Sequence, residues 1–267
     1  FTGGFQFQAG YTYSHSLDDI SNNSLNPFGV SNQTNADIVF PIDQTNVGKY
    51  NYGNSDYDTR HSFNMNYVWS DAFRHITGKG PNALVKGWTM SGTIFAHTGL
   101  PYSIFSSAMT ANLHNSNWGS SAAATGTSVL AVITGNQNLD CGPSASQIVN
   151  GAHNACYSAS NFIDPNPATG FGNQRRNQFR GPMYFDTDFG IEKAFGLPKW
   201  ESAQFSIGAR FFNLFNHPNF AFPVTDRDNP QFGQILKTVS QPTTIYGSGL
   251  GADASPRVIE IQAKFTF

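Results

Sequence analysis

From Ile259 to Phe267 the chain alternates without interruption. Ile259, Ile261, Ala263, Phe265 and Phe267 share one side, and Glu260, Gln262, Lys264 and Thr266 share the other. A period of two predicts an extended strand with one apolar and one wet face. The unit recurs upstream. Near 5–15, Phe5, Phe7, Ala9, Tyr11 and Tyr13 alternate with Gln6, Gln8, Gly10, Thr12 and Ser14. Near 60–70, His61, Phe63, Met65, Tyr67 and Trp69 oppose Ser62, Asn64, Asn66 and Ser70, with Val68 out of phase. Near 87–104 the even positions Trp88, Met90, Ile94, Ala96, Leu100, Tyr102 and Ile104 form the apolar side, with Phe95 misplaced. Strands near 183–195, 203–212 and 257–267 complete the set. A strand of about ten residues has the length of a tilted transmembrane β-strand.

The links between these strands carry the topology. Long polar segments at 16–58, 106–182 and 213–255 alternate with short links at 71–86 and 196–200. Outer-membrane barrels have long extracellular loops and short periplasmic turns, which alternate because successive strands cross in opposite senses. Aromatics stand where interfacial girdles belong: Trp69, Phe73, Trp88, Phe195, Trp200 and Phe267 at the short-link end, and Tyr13, Tyr102, Phe185, Phe211 and Phe215 at the other. The expected fold is therefore all-β: part of an antiparallel up-and-down transmembrane β-barrel with three long extracellular loops. A soluble antiparallel sandwich shows the same alternation, and would cover the apolar faces with a second sheet.

Composition supports the membrane reading. Only 12% of the 267 residues are charged, while 14% are aromatic, including 24 Phe. Asn, Ser, Thr, Gln and Gly fill the difference, and mean hydropathy is −0.33. No run approaches the length of a transmembrane helix. A net charge of −2 gives no reason to expect a nucleic-acid partner. Lys193 is the one cation on an apolar face, placed where its stem can snorkel to the interface. Cys141 and Cys156 lie close together in the longest polar segment, and a disulfide between them in an oxidising compartment would close a loop of about fifteen residues, worth roughly 3 kcal/mol. Two thiols with only His153 nearby do not complete a zinc shell. No catalytic signature occurs; Gly247–Gly251 only loosely resembles a nucleotide-binding glycine loop and follows no βαβ unit. The opening FTGGFQFQ has neither a basic nor an apolar leader region and starts in mid-pattern, as expected of a piece of something longer.

Several phrases resemble the C-terminal barrel of TonB-dependent outer-membrane receptors, specifically the Oar-like group with an N-terminal carboxypeptidase-regulatory-like domain. They are YTYSHSLDD at 11–19, DTRHSFNMNYVW at 58–69, GWTMSGTIFAHTGLPYS at 87–103, RRNQFRGPMYFDTDFGIEKAF at 175–195 and FFNLFNHPNF at 211–220, with the final Phe267. The resemblance implies a barrel of about 22 strands, plugged by a separate N-terminal domain and gated by an energised periplasmic TonB-type protein. The six strands here are fewer than the roughly eight of the smallest closed barrels, so a sheet with two open edges is expected.

The candidate contacts follow from this placement. Arg175, Arg176 and Arg180 could hold an anion or a lipopolysaccharide phosphate through guanidinium forks, or could pair with Asp186, Asp188 and Glu192. Asp186 and Asp188 share one side of a strand, as a catalytic or metal-binding pair would, or as residues facing charges on a plug would. Gln204, Arg210, Glu260, Gln262 and Lys264 would line a path or brace the plug. The segment Asp58–Thr59–Arg60–His61 reads either as a ligand or gating contact or as a rim ion pair. No enzyme activity, cofactor or metal is expected. The function expected is substrate capture and energised uptake. The alternatives are an outer-membrane adhesin or binding module without transport and a soluble carbohydrate-binding sandwich.

Overall fold

The computed structural model describes residues 3–19, 52–107, 129–135, 157, 159–164, 173–197, 200–236, 238–239 and 256–267. Its main element is a six-stranded antiparallel sheet of β1 (Phe5–Tyr13), β2 (His61–Ser70), β3 (Trp88–His97), β4 (Tyr184–Leu197), β5 (Trp200–Phe212) and β6 (Val258–Thr266). Each strand pairs with the next in sequence, an up-and-down meander whose edges are β1 and β6.

Register converts six separate alternations into two continuous faces. One row across the sheet reads Phe5, Trp69, Met90, Ile191, Ala209, Ile261, and the next reads Phe7, Tyr67, Gly92, Phe189, Phe211, Ile259. Between them on the opposite face runs Gln6, Val68, Ser91, Gly190, Arg210, Glu260. A slip of one residue in any pairing would carry that strand's whole apolar set to the other face. Among the described residues no second sheet covers the apolar face: Tyr11 is 63% exposed and Ile261 78%. The other ladders among the described residues are two-residue pairings beyond the long-loop ends of the strands, 17–18 with 53–54, 101–102 with 179–180, 105–106 with 129–130, and 132–133 with 162–163. Among the described residues nothing forms the second layer that a sandwich requires.

The link from β2 to β3 forms two short helices, α1 (Ala72–Thr77) and α2 (Asn82–Val85). It folds onto the apolar side of the strand ends. Phe73 packs edge-on against Trp88 with ring centroids 5.0 Å apart, and Trp88 Nε1 donates to the Leu84 carbonyl at 2.7 Å. Lys193 is buried there. Its ammonium donates to the Lys86 carbonyl and lies 5.3 Å from the Trp88 ring centre and 5.5 Å from that of Phe195. A lone cation on a greasy face is satisfied by a carbonyl and two ring faces.

The third strand is shorter than its alternation suggests. β3 ends at His97, and Leu100, Tyr102 and Ile104 leave the sheet and are buried, the last two in a core within the loops. The cause is a backbone crossing at Gly99, where a Cβ would sit 1.8 Å from the Gly181 carbonyl oxygen, so only glycine fits. Tyr102, 5% exposed, is therefore not a girdle residue. The misplaced Phe95 is explained in the same way: it faces inward and packs against Tyr184, Ala221 and Val239, where the third loop folds over the strand ends.

The face assignment has a direct test. Ile261→Arg is expected to cost about 2–4 kcal/mol near the bilayer midplane, whereas Gln262→Lys, one residue along on the wet face, is expected to cost under about 1 kcal/mol. Denaturant unfolding from lipid vesicles measures both, and equal penalties would reverse the assignment.

Candidate functional site

At the long-loop end the described parts of the three loops fold into one cap. The first and second loops are fastened by charge. Asp58 is fully buried, and its carboxylate accepts from the Ser16 N–H at 2.7 Å, from Arg60 Nε at 2.9 Å and from Arg180. Arg180 also donates to the carbonyls of Asp58 and Gly99, each at 3.2 Å. Beside it Arg176, 2% exposed, pairs with Asp18 and stands 3.6 Å from Asp56. Between the two arginines Asn177 adopts a left-handed conformation (φ 54°) and donates to the Asn54 carbonyl at 2.8 Å and to Asp56 at 2.6 Å. The turn aims all three side chains at the first loop.

The two carboxylates respond in opposite directions. Burial pushes Asp56 above its usual range, and Asn177 and Arg176 only partly offset that while Asp18 adds repulsion. Burial would raise Asp58 too, but the Ser16 N–H and the Arg180 and Arg60 guanidiniums overrule it and hold Asp58 below its usual range.

The second and third loops are joined by an aromatic core of Tyr102, Ile104, Ala131, Tyr157, Phe162, Phe179 and Phe232. Phe162 meets Phe179 and Phe232 edge-on at 5.9 and 5.4 Å, and the Tyr102 hydroxyl donates to that of Tyr157 at 2.6 Å. Backbone polarity inside this core is met by side chains that mimic a strand. Gln174 accepts from Ile104 N–H at 2.8 Å and donates to the Ile104 and Ala131 carbonyls, and Asn173 bonds both the N–H and the carbonyl of Ile133. Arg227 of the third loop closes the contact with Asp164 at 2.5 Å, and Ser106 donates to Asp228 at 2.8 Å.

The third loop is rooted by asparagines of the FFNLFNHPNF phrase. Asn213 (φ 50°) both accepts from and donates to the backbone of His217 at 2.8 Å, and its own N–H donates to Asp188 at 3.1 Å. Asn219, fully buried, accepts from the Phe185 N–H at 2.8 Å. Below the cap, on the wet face, Gly208 stands between Glu192 and Gln262 and leaves room for Gln262 to donate to Glu192 at 3.1 Å.

The proposed contact residues therefore separate. Of the two readings of these arginines, ion pairing holds for Arg176 and Arg180, but among the described residues their ion-pair partners are the carboxylates of the first loop, brought across the mouth by the turn at Asn177, and not Asp186, Asp188 or Glu192. Asp188 accepts instead from Asn213 and from Thr93 at 3.4 Å, and Asp186 is buried on the wet face beside Tyr184. Arg175 is exposed, as are Arg210 and Lys264, while Glu260 is half-buried and opposite Arg210 in register. The structure does not bring these together into one cluster. Among the described residues no group of three His, Cys, Asp or Glu is placed to hold a metal ion. Cys141, Cys156 and the Gly247–Gly251 stretch lie outside the described residues. Sequence reasoning missed the Asp18, Asp56 and Gln174 contacts, although three buried-type pairings were foreshadowed by acids at 18, 56 and 58 and cations at 176 and 180.

A family model described as an outer membrane beta barrel domain matches residues 1–250. No curated protein and no solved structure matches the chain.

Asp58→Ala is expected to leave Arg180 without its carboxylate and to destabilise the cap by about 3–5 kcal/mol, the usual cost of breaking a buried pair. Because the folded-state value of Asp58 is depressed, the difference between wild type and variant is fully present above the unfolded range of about 3.9 and is lost as pH falls through the lower folded value. Hydrogen exchange at residues 14–19, 52–60 and 173–181, followed from pH 7 to pH 3, measures both effects.

Proposed function

The chain belongs to the outer membrane beta barrel domain family, and on that premise we propose that it forms the wall and the external loops of a TonB-dependent transporter of the Oar-like group. The supporting observation is the pairing of a two-faced sheet with an ordered cap. Large energy-driven barrels need a lipid-proof wall, a polar interior and external loops that hold a ligand, and the two-faced sheet and the buried contacts of the cap support that reading. Phrases that resemble the receptor group are the ones that root the cap: DTRH holds Asp58, RRNQFRGP holds Arg176, Asn177 and Arg180, and FFNLFNHPNF holds Asn213 and Asn219.

In this reading the open edges of β1 and β6 pair with further strands of the full-length barrel, since an unpaired strand edge inside lipid is not tolerated. Arg210, Glu260 and Lys264 on the wet face contact the substrate path or a plug domain, and Asp186 and Asp188 brace the wall beneath the third loop. Arg175, exposed at the mouth, meets the incoming ligand. Arg176 and Arg180 act one step removed, by fixing the turn that carries Arg175. The work is binding and passage, without covalent chemistry.

A binding module without transport would use the same cap, and the internal fastening of the cap favours that second reading. The two part on energy dependence. Cells carrying the full-length protein are expected to deplete a compound from a complex medium that cells lacking either the protein or TonB leave behind. Capture that persists undiminished without TonB would favour the binding module.

A further inference from the structure

We infer that the link between β2 and β3 is a binding surface for anionic glycerophospholipid headgroups of the periplasmic leaflet. The inference needs the membrane location and not the transport reading. Three observations converge on it. First, the link lies outside the wall. Phe73, Leu84 and Lys86 all contact Trp88 or Lys193, and both of those stand on the apolar face. At the other end of the link's span, His75 lies against the start of β1, where a Cβ on Gly4 would come within 3.5 Å of its Nε2. Second, the link presents exposed apolar side chains: Ile76 is 58% exposed and Leu84 68%. They continue the lipid-facing surface past the strand ends. Third, its net charge is positive. The link carries Arg74, Lys79 and Lys86 against one carboxylate, Asp71, which accepts from the Gly87 N–H at 2.6 Å.

Lys193 fixes the level at which this surface works. Its ammonium, boxed by the Lys86 carbonyl and the rings of Trp88 and Phe195, marks where hydrocarbon gives way to headgroups. Arg74 and Lys79, exposed on the same link, therefore stand among phosphates, with Ile76 and Leu84 dipping into the acyl boundary. Short links lie on the periplasmic side, so the partner is a phospholipid and not the lipid A of the opposite leaflet.

The test uses the full-length protein in a neutral detergent, with thermal unfolding followed on addition of phosphatidylglycerol, phosphatidylcholine or lipid A. Phosphatidylglycerol is expected to raise the melting temperature in a salt-sensitive way, and phosphatidylcholine and lipid A are not. R74Q/K79Q/K86Q is expected to lose the effect, with an apparent affinity weaker on the order of 100-fold, while R74K/K79R/K86R retains it. Heat-modifiable gel mobility shows whether each variant is folded. Equal shifts with phosphatidylcholine or with lipid A, an undiminished shift in the glutamine variant, or loss in both variants would overturn the proposal.

Discussion

Hydrocarbon offers no hydrogen bonds, and that single fact orders this molecule. Every backbone group that crosses the membrane must find its partner on a neighbouring strand, so the strands must lie side by side. Once they do, register is not free. The rows from Phe5 to Ile261 and from Phe7 to Ile259 exist because six independent alternations have been brought into one phase. The arrangement leaves the wet face and the long loops as places where a ligand arriving from outside can be read.

The wet face and the loops solve their polar problems differently. On the wall, polar side chains line one face and join one strand to another, as Gln262 does with Glu192 and Thr93 with Asp188. In the cap, several polar side chains are buried together with their partners. Asp58 and Arg176 are almost without exposure, and Gln174 and Asn173 replace strand neighbours with their own amides. A loop assembly with its own aromatic core is closer to a small domain than to a set of turns. It stands on Asn213, Asn219 and Gly99, residues that fit a left-handed turn, a buried amide and a backbone crossing.

The wall was legible in the sequence because period two is a local signal. Each strand announces itself within ten or so residues, and Phe205, Ile207 and Ala209 need no knowledge of Phe265, Ala263 and Ile261 to declare a face. Where the reading failed, the cause was distant in the chain. Tyr102 and Ile104 kept the even phase of Trp88 and Met90 yet belong to another core, because Gly99 meets Gly181. Phe95 broke the pattern for a reason located at Ala221 and Val239. The arginines at 176 and 180 had acids nearby in sequence at 186 and 188, and the fold gave them acids from the first loop instead. Alternation reports which way a side chain points and carries no information about what a remote loop will lay on top of it.

The span of those ion pairs has a consequence for assembly. Arg176 and Asp18 are 158 positions apart, and Arg180 and Asp58 are 122 apart. Such contacts cannot form until the intervening strands have been threaded and have brought the loop bases together, since long closures repay their entropy only after the shorter ones are in place. The fastening of the first loop to the second thus follows the strands that carry it, and during biogenesis Asp58 has only its near neighbours Ser16 and Arg60 until the fourth strand brings Arg180 at its root.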